Sequence, residues 1–300
     1  QQTLNIISLI FNKLNRTNMD EKKLIETTQI IFHLMEQKNT VFEDALNCLI
    51  FIIINLRDKS SQIIDNVLSF VPVALTSESP SIIQMTVATI SYLYKKNVIK
   101  EMSLGGRVQR RNLPQNLIDS LPKTIELVTS YLDNQSFTKD FYQSLLLNLA
   151  CLLKKARNYM NVEITEKITK YYFDFIPTTV DENDTESVLC SFESVFAGFD
   201  SILKIYSCFD DESQKQFRTT KHLRLIFNET TKNYFTLDYF YGPSLKYYCK
   251  FLHSLYKFFG NDANMLLNKT DTFRPIFYAC VSSNKKLKDK GNQTIYEITK

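Results

Sequence analysis

The chain has no tryptophan, only six glycines and seven prolines in 300 residues, and three histidines. So few turn formers disfavour an all-β fold, which needs frequent tight reversals. His33, His222 and His253 lie far apart with no His or Cys three or four residues on, so no metal site is expected. Cys48, Cys151, Cys190, Cys208, Cys249 and Cys280 are scattered, lack C-x-x-C spacing and sit mostly in apolar helical runs. They read as buried reduced thiols of a cytosolic protein, not as a disulfide framework. The longest apolar run, residues 49–54, falls far short of the ~20 residues a membrane helix needs. No Gly-rich phosphate loop, G-x-S-x-G elbow or H-E-x-x-H run occurs. The expectation is a protein with no catalytic residues, no metal and no cofactor, which is not an enzyme.

The net charge of +4 hides two blocks. Residues 177–214 hold nine carboxylates (Asp181, Glu182, Asp184, Glu186, Glu193, Asp200, Asp210, Asp211 and Glu212) against one cation, Lys204. Residues 95–111 hold six cations against Glu101, and Gly105-Gly106 marks residues 97–113 as an exposed basic loop.

What the chain does have is helix after amphipathic helix, arranged in pairs. Second-of-pair helices start near Phe42, Ser81, Asp140, Glu186 and Ser244, about 40 to 60 residues apart. Apolar residues at 3–4 spacing place helices over 3–14, 21–37, 41–56, 61–75, 80–96, 117–132, 138–156, 162–175, 185–206, 222–234, 244–259, 271–281 and 288–298. Pro72 is expected to kink the fourth, and 181–184 and 210–213 to be acidic connectors. The fold class expected is all-α: a HEAT-repeat solenoid, a right-handed superhelix of antiparallel helix pairs in which each repeat buries its apolar face against its neighbours. About six pairs span residues 1–300 as a single array. A chain that starts at Gln1 reads as a fragment of a longer protein.

Six stretches carry a resemblance. Phe42-Glu43-Asp44-Ala45-Leu46 opens a helix, Asp65 to Pro72 follows in the next first-helix position, and Ser81 to Leu93 alternates small and apolar residues. Further on come Tyr131-Leu132-Asp133-Asn134, the long helix Phe192 to Leu203 after an acidic linker, and Phe273-Arg274-Pro275-Ile276 before a Lys-rich turn. In order and spacing these resemble the C-terminal HEAT repeats of importin-β, the karyopherin nuclear-import receptors. The resemblance implies a receptor segment that carries cargo through nuclear pores. It implies a basic partner segment, from an importin-α-type adaptor or basic cargo, on the concave face, and Phe-Gly nucleoporins between adjacent outer helices, here 21–37 and 61–75. Ran would bind N-terminal repeats absent from this chain. The location implied is cytoplasm and nucleus, with the nuclear envelope at pores; neither membrane nor nucleic acid is expected as a partner.

Glu186, Glu193 and Asp200 are spaced seven apart, so on a helix they fall on one stripe, opposite Leu189, Phe192, Val195, Phe196, Phe199 and Leu203. With no lysine interleaved, that stripe is the expected grip for a basic segment, with Glu43 as a further carboxylate. Tyr296 takes the place of the family's tryptophan in the final helix and offers a cation–π face; Glu297 adjoins it. A non-transport scaffold of the phosphatase type and a nucleic-acid-binding HEAT protein are the alternative readings.

Overall fold

A computed structural model of the chain describes residues 21–36, 44–45, 48–49, 74, 80–96, 100–102, 108–110, 115–133, 138–177, 185–240, 242–263 and 270–299. The chain divides into two compact units, residues 1–137 and 138–300. The first contains α1 (Glu21–Glu36), α2 (Pro80–Lys96), β1 (Lys100–Met102), β2 (Val108–Arg110) and α3 (Gln115–Leu132). The second contains α4 (Lys139–Ala156), α5 (Val162–Asp174), α6 (Thr185–Tyr206), α7 (Asp211–Phe217), α8 (Thr220–Thr231), α9 (Gly242–Phe259), α10 (Thr270–Cys280) and α11 (Lys285–Thr299).

In the first unit, α2 buries Ile83, Val87 and Ile90, and α3 buries Leu121, Ile125, Val128 and Leu132, each set recurring every three to four residues. Thr86 and Thr89 are buried as well, and their hydroxyls donate to the carbonyls of Ile82 and Met85 at 2.7 Å, which removes the cost of burying them. Pro122 lies inside α3 on its exposed side. The expected helices over 3–14 and 61–75, with Pro72, and most of 41–56 lie outside the described residues. Within the expected loop 97–113 the described residues form two short strands. Lys100–Met102 pairs antiparallel with Val108–Arg110, Glu101 opposite Gln109, with the Gly105-Gly106 reversal signal between them in sequence.

The second unit is built around α6. From Val188 to Tyr206 nearly every residue of this helix is buried, the small polar Ser191, Ser194 and Ser201 included. Helices α4, α6, α9 and α11 pack side by side in that order, and α5, α8 and α10 precede the last three in sequence. Two hydroxyl bonds fix α4 against α6: Ser194 donates to the Gln143 carbonyl at 3.2 Å and Ser201 to the Ala150 carbonyl at 2.9 Å. Both bonds span 51 residues, so α4 and α6 run parallel. Between α6 and α9, Ser254 bonds Asp200 and Phe251 stacks on Phe196, again a nearly constant separation and a parallel pair. Successive parallel helices, each preceded by a helix that returns the chain, are what a stack of helix pairs requires.

Aromatic rings fill the seams. Phe196 meets Tyr234, Tyr248 and Phe251 at centroid distances of 4.9, 5.3 and 5.5 Å. Such pairs add about 0.5–1.5 kcal/mol each beyond burial. Their phenols reach backbone: Tyr172 donates to the Leu146 carbonyl at 2.8 Å and Tyr248 to the Thr272 carbonyl at 3.0 Å. The connector expected at 210–213 is instead the start of α7. Asp210 caps it, accepting from the Ser213 amide at 2.9 Å, and these bonds hold its carboxyl below the usual range. At the far end of α7 Phe217 is sandwiched between Tyr206 and His222, with centroids 3.6 and 4.9 Å away. The apolar pattern of a seven-residue helix is too short to announce itself in sequence.

Candidate partner-binding face

The acidic stripe of α6 is the first candidate, and the structure alters it. Glu186, in the first turn, is exposed. Glu193 is half-buried; burial raises its pKa, while Lys246 and Lys250 of α9 pull it back down. Asp200 is buried, at 3% side-chain exposure. Its Oδ1 accepts from the Lys204 ammonium one turn on and from the Ser254 hydroxyl of α9 at 2.6 Å. The expectation of three free carboxylates opposite the core is therefore corrected at Asp200, which lies in the seam between α6 and α9. Heptad spacing put the three residues on one stripe, but α6 is covered on so many sides that the stripe itself runs into a neighbour.

The expectation that no lysine neutralises the stripe is corrected too. Lys204 follows Asp200 on the same helix, and α9 presents Lys246 and Lys250 with their ammonium groups 5.4 and 4.5 Å from the Tyr247 ring centroid. Lys154 of α4 and Lys290 of α11 complete a cluster of five lysines on four neighbouring helices. Burial lowers the pKa of Lys250 to about 8; Lys154 and Lys246 push it the same way, and Asp200 opposes them. Lys204 is lowered by burial, although Asp200 supports its charge. His253 is lowered by burial and by Lys290, with Glu297 acting in the opposite sense, and its Nδ1 is buried without a hydrogen-bond partner. The neutral imidazole is the favoured form there.

Of the remaining predicted residues, Glu43 lies outside the described residues. Tyr296 is 59% exposed on α11, and Glu297 is half-buried beside His253. Glu193 and Asp200 both act on Tyr247 of α9, Glu193 and Glu186 both act on Cys190, and the lysines were missed. Lys204 was legible at four residues from Asp200. Lys246 and Lys250 were not, because only the register of α9 on α6 puts them opposite Glu193.

A second feature lies on the other set of helices. Between the end of α5 and α8 is a groove of about 570 Å³ lined by Phe173, Ile176, Pro177 and Leu225, with Asp174, Glu229 and Lys232 also lining it. Asn233 closes part of it by donating to the Pro177 carbonyl at 2.6 Å. Leu225 is 45% exposed there. Among the described residues no group of three or more His, Cys, Asp or Glu side chains is placed to hold a metal, and no helix is long and apolar enough to cross a membrane. All six cysteines are unbridged.

No protein-family model and no curated protein matches the chain. Solved structures do. A crystal structure of importin beta in an ammonium sulfate condition superposes with a TM-score of 0.68 at 10% identity, over 93% of this chain and 31% of that one. A second, importin beta in a polyethylene glycol condition, gives a TM-score of 0.68 at 9% identity, over 93% of this chain and 33% of that one. The chain thus spans about a third of the length of the importin-beta chains it resembles. At that identity the likeness is one of fold: the chain is an all-α HEAT-repeat solenoid built like importin beta.

Proposed function

We propose that this chain is a protein-binding segment of a nuclear transport receptor, carrying a partner on the α4–α6–α9–α11 layer and taking Phe-Gly segments in the groove between α5 and α8. The fold match over 93% of the chain supports a receptor-like solenoid. The observation that carries the finer reading is the groove itself. It lies between the first helices of consecutive pairs, as Phe-Gly pockets of such receptors are expected to, and Phe173, Ile176, Pro177 and Leu225 give it an apolar lining suited to a Phe ring. Binding of this kind needs no catalysis, and the receptor would shuttle between cytoplasm and nucleus through the pore.

The basic adaptor segment expected from the sequence is not retained as the partner of this layer. With Asp200 engaged by Lys204 and Ser254, a basic helix here would meet more lysine than free carboxylate. A non-transport scaffold shares the fold, and entry into pores separates the two. Fluorescently tagged chain added to permeabilised cells should collect at the nuclear rim and enter nuclei faster than an inert protein of its mass. Exclusion at the inert protein's rate contradicts the transport reading and leaves the scaffold.

A further inference from the structure

Lys154, Lys204, Lys246, Lys250 and Lys290 are drawn together by packing, not by sequence proximity. The parallel register of α4 and α6, fixed by the Ser194 and Ser201 bonds, sets Lys154 and Lys204 side by side. Ser254, bonded to Asp200, holds α9 so that Lys250 falls within reach of both. Thr294 donates to the Cys249 carbonyl at 3.4 Å and ties α11, with Lys290, to the same place. We infer that this lysine cluster is a docking site for an acidic segment of a partner protein. The inference deepens the proposed function by giving the partner its charge, and it rests on the reading of this layer as the partner-carrying one.

Three observations carry it. The first is that the cluster's own carboxylates do not neutralise it. Asp200 is paired with Lys204 and takes the Ser254 hydroxyl on the same oxygen, which leaves Glu193 and Glu297 against Lys154, Lys246, Lys250 and Lys290. The second is the strain this places on the ammonium groups. Lys250 is half-buried among three other lysines, and burial with that repulsion brings its pKa to about 8; carboxylates laid over it would supply the missing counter-charge. The third separates protein from nucleic acid. The Tyr247 ring amid the lysines has Lys246 and Lys250 over it, so it offers no free platform for base stacking. The cluster is also compact, unlike the extended basic stripe that tracks a phosphate backbone. Carboxylates on a short peptide segment fit such a patch, and charge complementarity would set both on-rate and choice of partner.

The test is fluorescence anisotropy of the full chain with three labelled probes: a Glu/Asp-rich peptide, its Gln/Asn counterpart, and a single-stranded oligonucleotide of equal charge. The acidic peptide should bind, weaken as salt rises from about 0.05 to about 0.3 M, and outcompete the oligonucleotide; the Gln/Asn peptide should not bind. Lys154→Gln with Lys250→Gln should weaken the acidic peptide at least tenfold, while Lys221→Gln, exposed on α8, leaves it unchanged. Lys246→Gln, at an exposed position, serves if the double variant unfolds and should weaken binding about threefold on its own. Unchanged binding in these variants, or no binding by the parent, overturns the inference. An oligonucleotide held as tightly as the peptide overturns the choice of a protein partner. A parent chain that binds the Phe-Gly peptide but not the acidic one sinks this inference alone, and one that binds the acidic peptide but not the Phe-Gly one sinks the transport reading.

Discussion

The hydroxyl of Ser254 donates to Oδ1 of Asp200 at 2.6 Å, a bond across 54 residues that joins α9 to α6 at a buried carboxylate. The same oxygen takes the Lys204 ammonium, so one atom settles both the helix register and the local charge. Asp200 therefore belongs to folding before it belongs to any partner.

Asp200→Ala should destabilise the chain by about 2 kcal/mol in urea unfolding. Breaking a fully buried pair costs about 3–5 kcal/mol, and Lys204, at 30% side-chain exposure, recovers part of that by hydration. Adding Lys204→Met to Asp200→Ala should restore some of the loss. Parent-like stability of Asp200→Ala would show that the carboxylate is a spectator.

At Gly198 the Tyr172 ring of α5 lies against α6. A methyl group there would overlap the Tyr172 ring, which cannot swing away without losing its bond to the Leu146 carbonyl at 2.8 Å. Gly198→Ala should lower stability by about 1–3 kcal/mol through overpacking, despite the ~1 kcal/mol that alanine offers a helix. Combining it with Tyr172→Leu should recover part of the loss. A thermal midpoint for Gly198→Ala at or above the parent's would contradict the contact.

Lys250 gives a pH signature. Its folded pKa, about 8, lies below that of an unfolded lysine, so the unfolded chain holds more protons between about pH 8 and 10.4. The lysine's contribution to stability is thus lost as pH falls through 8 and recovered as pH rises toward 10.4. Lys250→Met should be more stable than the parent at about pH 7, with an advantage that shrinks by about pH 9.5. Subtracting the two curves removes the alkaline loss shared through Cys249, whose burial raises it to about 12. A pH-independent difference would remove Lys250 from the cluster's electrostatics.

Much of the fold was legible because helices of this length repeat their apolar residues over several turns. Residues 80–96 and 185–206 were bounded as the structure bounds them, and α4 and α5 within a residue. The hairpin was missed because three-residue strands carry no period, and α7 because its stabilisation comes from Phe217 packing on Tyr206, a tertiary contact. The site fared worse for the same reason. Heptad arithmetic located Glu193 and Asp200 on one side of α6 but could not tell that Ser254, Lys246 and Lys250 would face them.

That a Phe-Gly segment enters the groove between α5 and α8 is the claim tested by the amide resonances of the full chain during titration with a Phe-Gly peptide. Shifts should concentrate at Phe173, Ile176, Leu225 and Asn233, and Leu225→Glu, at an exposed position, should abolish them while leaving the thermal midpoint within experimental error. No shift at these residues, or the same shifts in Leu225→Glu, would contradict the claim.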